Sequence, residues 1–248
     1  MRIPTYQQRL AERQQPNSAV VMKQDWSHLL FLHWEIDPAV IQATLPTGLR
    51  VDTFDGNAYL GIVPFFMDHV RPSYCPVVPG ISWFQELNLR TYVHDEHGRP
   101  GVWFYALDCN QWLAVKIARS WFHLPYQHAR MKSYQRDGTL SYTSRRRGCS
   151  QLQVFKYPAN LSRSETSRVG TLEFFLLERY RLFSASRKGS IYSGRVHHTP
   201  YQYQDVNIAD HYSTRLFSLC GFDEPDTAPI SSMIAETVSV NIHPLKKN

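Results

Sequence analysis

An acid, an amide and a guanidinium alternate along one strand-like stretch of the sequence, residues 83–93. Glu86, Asn88 and Arg90 stand two residues apart, so a strand would point all three to one face, about 7 Å from one to the next. Spacing leaves two interpretations open. The face is either the solvated side of a sheet or a buried surface, where polar groups must pair or serve a ligand. In the buried case the carboxyl could exchange protons and the guanidinium could hold an anion.

Two further clusters combine charge with apolar residues. Arg119 stands on a predicted helix just before the aromatic turn Leu124-Pro125-Tyr126, and residues 171–181 are too apolar for a surface loop. Because buried charges need partners, Arg90, Arg119 and Arg179 are predicted mates for Glu86, Glu173 and Glu178. A purely structural ion-pair network is therefore the alternative to a ligand site.

Several kinds of chemistry lack their sequence signatures. The cysteines are widely spaced and no HExxH pattern occurs, so we expect no metal site. Nucleophile-elbow and phosphate-cradling glycine motifs are also missing, and we expect no cofactor. Lys116 is the one lysine between Lys23 and Lys132, and it falls on the polar face of its helix. An amine nucleophile would need a lysine whose pKa is depressed by burial or by a neighbouring cation.

Composition predicts a globular, strand-rich protein. Aromatic residues make up 13% of the 248 residues, which favours strands. The net charge of +6 comes from arginine, with 20 Arg against 7 Lys. The densest basic cluster, Arg145–Arg147, is either a solvated hairpin rim or an anion patch. Nucleic-acid binding is the least favoured reading. No apolar run is long enough for a membrane span or a signal peptide, so we expect a cytoplasmic protein.

Residues 1–20 are predicted to form an N-terminal arm, and residues 21–248 a single domain. The patterns predict helices at Ala39–Thr44, Asn110–Phe122 and His211–Leu219, and a capped helical turn at Thr171–Leu177. Hairpins are predicted for 49–54 with 58–66 across Asp55-Gly56, and for 180–186 with 190–197. Residues 231–243 alternate like a strand.

Ordered motifs across residues 25–243 resemble the YqjF-like bacterial family of unknown function, which is in turn similar to the acetoacetate decarboxylase superfamily. The motifs that carry the resemblance are Leu32-His33-Trp34, Leu45-Pro46-x-Gly48-Leu49, Val63-Pro64-Phe65, Glu86-x-Asn88-x-Arg90-Thr91-Tyr92-Val93, Gly101-Val102-Trp103-Phe104, Ala118-Arg119, Leu124-Pro125-Tyr126 and Leu172-Glu173-x-Phe175-Leu176-x-Glu178-Arg179-Tyr180.

The resemblance implies an α+β fold, mainly antiparallel, in which a bent sheet forms a cone-shaped barrel with a ligand cavity inside and a few helices outside. The resemblance also implies that the Schiff-base reaction of acetoacetate decarboxylase is absent. Acetoacetate decarboxylase forms a Schiff base on one of two adjacent lysines after a proline, and Tyr126 and Gln127 stand at those positions here. The arginine that grips its substrate falls on Glu35, whereas the cavity glutamate is kept as Glu86.

Together these inferences predict a small-molecule-binding protein, or an enzyme whose reaction is not specified, with a cavity lined by Glu86, Arg90, Arg119 and Tyr126. The expected ligand is a small molecule, with a carboxylate as one candidate. The alternative is a non-catalytic structural or oligomerising protein whose polar groups pair internally, and homo-oligomerisation is left open.

Overall fold

The computed structural model describes residues 2–208 and 211–248. The α-helices in these ranges are α1 (Tyr6–Ala11), α2 (Pro38–Thr44), α3 (Trp112–Trp121) and α4 (Leu172–Leu177), with a 3-10 turn at Ser218–Cys220. The strands are β1 (Met22–Ser27), β2 (Leu29–Ile36), β3 (Leu49–Val51), β4 (Ala58–Pro72), β5 (Phe84–Asp95), β6 (Pro100–Cys109), β7 (Tyr126–Arg136), β8 (Thr139–Arg146), β9 (Gln153–Pro158), β10 (Glu165–Thr166), β11 (Arg181–Ala185), β12 (Ile191–His197), β13 (Gln202–Asp205), β14 (Tyr212–Ser213), β15 (Ser231–Ala235), β16 (Val238–Ile242) and β17 (Lys246–Lys247).

Strand pairings form a mixed sheet that returns to its starting strand. From β1 they run through β4, β5 and β6, cross to β11, and continue through β12 and β16 back to β1. The β6–β11 pair is parallel, and the other pairs in this circuit are antiparallel; the β6–β7 pair, outside the circuit, is also parallel. Strands β7, β8, β9 and β14 extend from β6 as a further layer.

The central strand β5 separates two apolar clusters. Phe84 and Tyr92 pack on one side with residues such as Phe31, whereas Leu87 and Leu89 pack on the other. We call these sides the Glu86 face and the Leu87 face. Alternation along β5 therefore places Glu86, Asn88 and Arg90 on one face, as the spacing predicted.

Local signals explain most helix boundaries. Asp37 caps α2 ahead of Pro38, Gln111 caps α3, and Thr171 caps α4 through the amide of Phe174. The helices predicted at Ala39–Thr44, Asn110–Phe122 and Thr171–Leu177 are thus confirmed within two residues. None of the helices within residues 2–208 and 211–248 is long and apolar enough to cross a membrane.

Two predicted elements are wrong. Leu49–Val51 pairs with Val93–Asp95 of β5 instead of forming a hairpin with β4. The first part of β4 pairs with β2 and β5, so neither of its edges is free for β3. The helix predicted at His211–Leu219 is replaced by β14 and a 3-10 turn, because residues 212 and 213 join β9.

Candidate functional site

Glu86 is a carboxyl group buried without a cation. Its side chain is 3% exposed, and Oε2 accepts a 2.6 Å hydrogen bond from the Tyr126 hydroxyl. Among the described residues it forms no ion pair. Burial raises its pKa to about 7, against the lowering effect of hydrogen bonds from Tyr126 and Asn88. The group can therefore change its protonation state near neutral pH.

Tyr126 is the first residue of β7, and its hydroxyl contacts Glu86. Helix α3 ends before Pro125, and β7 then runs parallel to β6, with Tyr126 opposite Leu107. Burial and the neighbouring Glu86 charge raise the pKa of Tyr126 well above its usual range. Tyr126 consequently stays a hydroxyl, able to donate a hydrogen bond to a carboxylate or another oxyanion.

Arg90 is a half-buried cation on the same face. Its guanidinium lies 5.3 Å from the centre of the Phe31 ring and 5.7 Å from that of Tyr92. Nη2 is 3.5 Å from the Tyr92 hydroxyl, Nε has no hydrogen-bond partner, and no carboxylate of the described chain pairs with Arg90. Aromatic contacts stabilise a guanidinium without neutralising it. Arg90 is therefore available to an anion.

Two buried histidines, which were not among the predicted site residues, face Arg90. His33 Nε2 lies 2.7 Å from the Tyr92 hydroxyl, and burial together with the Arg90 charge lowers the His33 pKa well below its usual value. Burial also lowers the pKa of His198 to about 4. Both rings are neutral at physiological pH. The signal for His33 was its place in an apolar run, since a buried polar group needs a reason to be there.

Several unsatisfied polar atoms lie on this face. Among the described residues, His33 Nδ1, Asn88 Oδ1, Arg90 Nε and His198 Nε2 are buried without hydrogen-bond partners. Gly61 makes room for one of these groups, because an added Cβ would lie 3.0 Å from the His33 ring. Such atoms are costly unless a ligand or water satisfies them.

Arg119 does not share this site, contrary to the sequence prediction. It is an exposed residue near the end of α3, and its Nε donates a 2.6 Å hydrogen bond to the backbone carbonyl of Tyr126. Nη2 donates to Gln127 Oε1 at 2.9 Å. Arg119 thus contacts the backbone of Tyr126, whereas the Tyr126 hydroxyl reaches Glu86. Arg119 lies on the polar face of α3, and this face is exposed to solvent.

The predicted pairing of charges is also wrong. Arg179 pairs with Asp52 at 2.6 Å rather than with a glutamate, and Arg9 holds the same carboxylate through bonds of 2.7 and 2.8 Å. Glu178 instead accepts from Arg13 at 2.7 Å. Arg9 and Arg13 belong to the N-terminal arm, so buried ion pairs join the arm to the rest of the domain. Sequence spacing could not predict these pairs, because their partners are distant along the chain.

The sequence comparisons agree on a family. Residues 23–239 match the DUF2071 family of uncharacterised conserved proteins. The uncharacterised protein YqjF of Bacillus subtilis (strain 168) is 34% identical over 232 residues, covering 94% of each chain. The chain belongs to the DUF2071 family.

Solved structures similar to this DUF2071 chain share the acetoacetate decarboxylase-like fold. A structure described as acetoacetate decarboxylase matches with a TM-score of 0.62 and 11% identity, over 96% of this chain and 97% of that one. The enduracididine biosynthesis enzyme MppR, complexed with the condensation product of pyruvate and imidazole 4-carboxaldehyde, matches with a TM-score of 0.62 and 12% identity, over 92% and 90%. At these identities the likeness shows the fold alone.

Proposed function

We propose that this DUF2071 protein binds a small carboxylate, of the oxo-acid class, in a cavity on the Glu86 face, and that Glu86 exchanges a proton with it. The cavity would be the interior of the cone-shaped barrel that the circuit of strand pairings outlines. One observation carries the proposal. Glu86 is buried with a pKa of about 7 and no cation, while the unpaired cation Arg90 lies on the same strand face.

Each group has a distinct role in this proposal. Arg90 holds the ligand carboxylate, because a guanidinium without a protein acid can offer paired N–H donors. Glu86, once ionised, removes a proton from the carbon beside the ligand carbonyl. The C–H electron pair forms the carbon–carbon double bond of the enolate. Once Glu86 holds the proton, the Tyr126 hydroxyl turns from Glu86 and donates its hydrogen bond to the enolate oxygen. Reprotonation by Glu86 reverses the step, so no oxidant or second substrate is needed.

Schiff-base chemistry is not part of the proposal. Tyr126 and Gln127 occupy the positions where the resemblance expects lysines, and all seven lysines of the chain are exposed. Lys116 lies 4.8 Å from the centre of the Trp112 ring on the outside of α3. A lysine nucleophile is activated by burial in an apolar pocket, which these exposed lysines lack. Borohydride reduction with pyruvate or acetoacetate should therefore trap no adduct.

Deuterium exchange tests the proposal directly. Pyruvate is incubated with the protein in D₂O, and loss of its methyl proton signal is followed by NMR. We expect exchange to be faster than without protein and to rise with pH through about 7 as Glu86 ionises. Glu86→Gln should abolish the acceleration, and Arg90→Gln should raise the pyruvate concentration needed for half the maximal rate.

Glu96→Gln is the matched control, because Glu96 is 70% exposed in the turn after β5. It should exchange pyruvate protons like the wild type. Equal exchange by the wild type and Glu86→Gln, or a borohydride adduct on Lys116, would contradict the assignment.

A structural or oligomerising protein remains the second candidate, and one region favours it. The cluster of Asp52 with Arg9 and Arg179 pairs its charges internally, which is what a structural role requires. Absence of binding by pyruvate and acetoacetate, together with reduced stability of Glu86→Gln, would support this candidate.

A further inference from the structure

A concave region opens where the sheet divides, away from Glu86. Strand β6 pairs with β11 at Val102 and Trp103, and with β7 from Leu107 onward. Along this edge residues 104–106 have no strand partner within the described chain. The gap between the two neighbours is a groove of about 1160 Å³, bounded by the end of α3 on one side and the β11–β12 hairpin on the other. We call it the outer groove.

Positive charge dominates the outer groove. Arg119, Arg187, Lys188 and Lys247 line it together with His123, and no aspartate or glutamate is among its lining residues. The whole chain, in contrast, carries 21 acidic against 27 basic residues. Several cations without acids between them attract an anion with more than one charge. Arg119 is held in place by its bonds to Tyr126 and Gln127, which orients its guanidinium in advance.

Hydroxyl groups accompany the cations. Ser120, Ser184, Ser186 and Ser190 all line the groove. Ser184 is only 2% exposed, and its Oγ has no hydrogen-bond partner in the part of the chain that the structure describes. Serine hydroxyls and arginine N–H groups together are the donors that proteins offer to phosphate oxygens.

Aromatic side chains form part of the walls. Trp103 and Tyr192 are partly exposed lining residues, and the rings of His123 and Tyr192 lie 4.9 Å apart. Partly exposed rings of this kind can stack on a planar group. The groove thus offers surfaces for a planar group beside cations for a polyanion.

We propose that the outer groove binds a nucleotide-class ligand, a phosphorylated small molecule with a planar base. Its phosphates contact Arg119, Arg187 and Lys188, and its base packs against Trp103 or Tyr192. The site is separate from the proposed carboxylate site, because Gln127 lines the groove, whereas the preceding Tyr126 contacts Glu86 and neither of these two residues lines it.

Calorimetry at low salt with ATP, inorganic pyrophosphate and adenosine tests the proposal. We expect ATP to bind at least tenfold more tightly than pyrophosphate or adenosine, since it alone has both the base and the charges. The double variant Arg187→Gln, Lys188→Gln should weaken ATP binding at least tenfold. Both residues are exposed in a turn, so the fold should be unaffected.

The control double variant is Arg130→Gln, Lys132→Gln, which removes the same charge from exposed positions of β7 outside the groove. It should bind ATP within twofold of the wild type, as should Glu86→Gln. No binding of ATP at millimolar concentration, or equal loss in both double variants, would overturn the proposal. So would tight binding of an oligothymidylate that ATP fails to displace, which would indicate a nucleic-acid surface instead.

Discussion

Asp52 and Glu86 are two buried carboxyl groups near opposite ends of strand β5, and their surroundings differ. Asp52 donates its backbone N–H to the Tyr92 carbonyl at 2.9 Å, and its side chain lies between Arg9 and Arg179. Those cations outweigh burial and lower its pKa. Glu86 has a phenol and an amide as its side-chain donors and no cation, and burial raises its pKa to about 7.

The difference separates structural from functional use of a buried charge. A carboxylate between two guanidiniums is compensated, and removing it would leave two cations uncompensated. A carboxyl with a raised pKa and unsatisfied neighbours is costly to the fold, and such costs concentrate at ligand sites. Arg9 of the arm forms an ion pair with Asp52, whereas Glu86 has no cation.

The largest expected effect is at the paired end. Asp52→Asn should lower the free energy of unfolding by about 3–5 kcal/mol, because Arg9 and Arg179 lose their shared charge. Urea denaturation at pH 7 measures it. Asp137→Asn, at a position whose side chain is 88% exposed, is the matched control and should unfold like the wild type. If Asp52→Asn is as stable as the wild type, the ion pairs of Asp52 with Arg9 and Arg179 do not stabilise the fold.

Glu86→Gln should act in the opposite direction. In the wild type, the folded state binds the Glu86 proton more tightly than the unfolded state, whose pKa is near 4.5. Stability therefore falls as pH rises from 4.5 to about 7, by about 3 kcal/mol from this group. The glutamine variant lacks this loss.

The difference in unfolding free energy between Glu86→Gln and the wild type should consequently move in favour of the variant between pH 4.5 and 8. Asp108, whose pKa burial raises to about 6, titrates in both proteins, and its charge also raises the Glu86 pKa. If the separation between the two urea curves does not change with pH, the pKa of Glu86 is not raised in the folded protein. That result would contradict the contrast with Asp52.

Tyr126→Phe tests how the hydrogen bond from Tyr126 affects Glu86. The change removes the hydroxyl that donates to Glu86, so the Glu86 pKa should rise above that of the wild type, and stability should fall by about 1–3 kcal/mol. Tyr157→Phe is the control, since it removes a buried hydroxyl that donates to the His28 carbonyl at 2.8 Å. It should lose stability without altering the Glu86 pKa. An unchanged pKa in Tyr126→Phe would mean that the hydrogen bond has no influence on Glu86.

The smallest effect is expected at Arg119. Its guanidinium is exposed, so Arg119→Ala should change the melting temperature by less than about 3 °C, in contrast to the buried arginines. Differential scanning fluorimetry beside Arg145→Ala, another exposed arginine, measures this. A drop as large as that of Asp52→Asn would place Arg119 in a buried network after all.

Local signals in the sequence predicted much of the fold. Caps at Asp37 and Thr171 and the turn at Arg187-Lys188-Gly189 specify their elements within a few residues, so they could be read directly. The partner of Leu49–Val51 could not, because the Asp55-Gly56 turn favoured the nearest strand and β2 holds that position instead.

The sequence predicted which kinds of residue form the candidate site, but only some of the particular residues. Alternation placed Glu86 and Arg90 on one face, and the resemblance favoured burial. The mates of buried charges depend on residues distant along the chain: Asp52 meets Arg9 and Arg179, 43 and 127 positions away. Spacing carries no information about contacts of that kind.

The protonation of Glu86 tests the central claim most directly. Protein labelled with ¹³C at glutamate carboxyl carbons is titrated by NMR, and the Glu86 signal is assigned by its loss in Glu86→Gln. We expect a midpoint near pH 7 for this carboxyl, since no cation offsets its burial. A midpoint below pH 5 would mean that Glu86 is stabilised as a carboxylate like Asp52, and would contradict the assignment of an unpaired, ligand-facing acid.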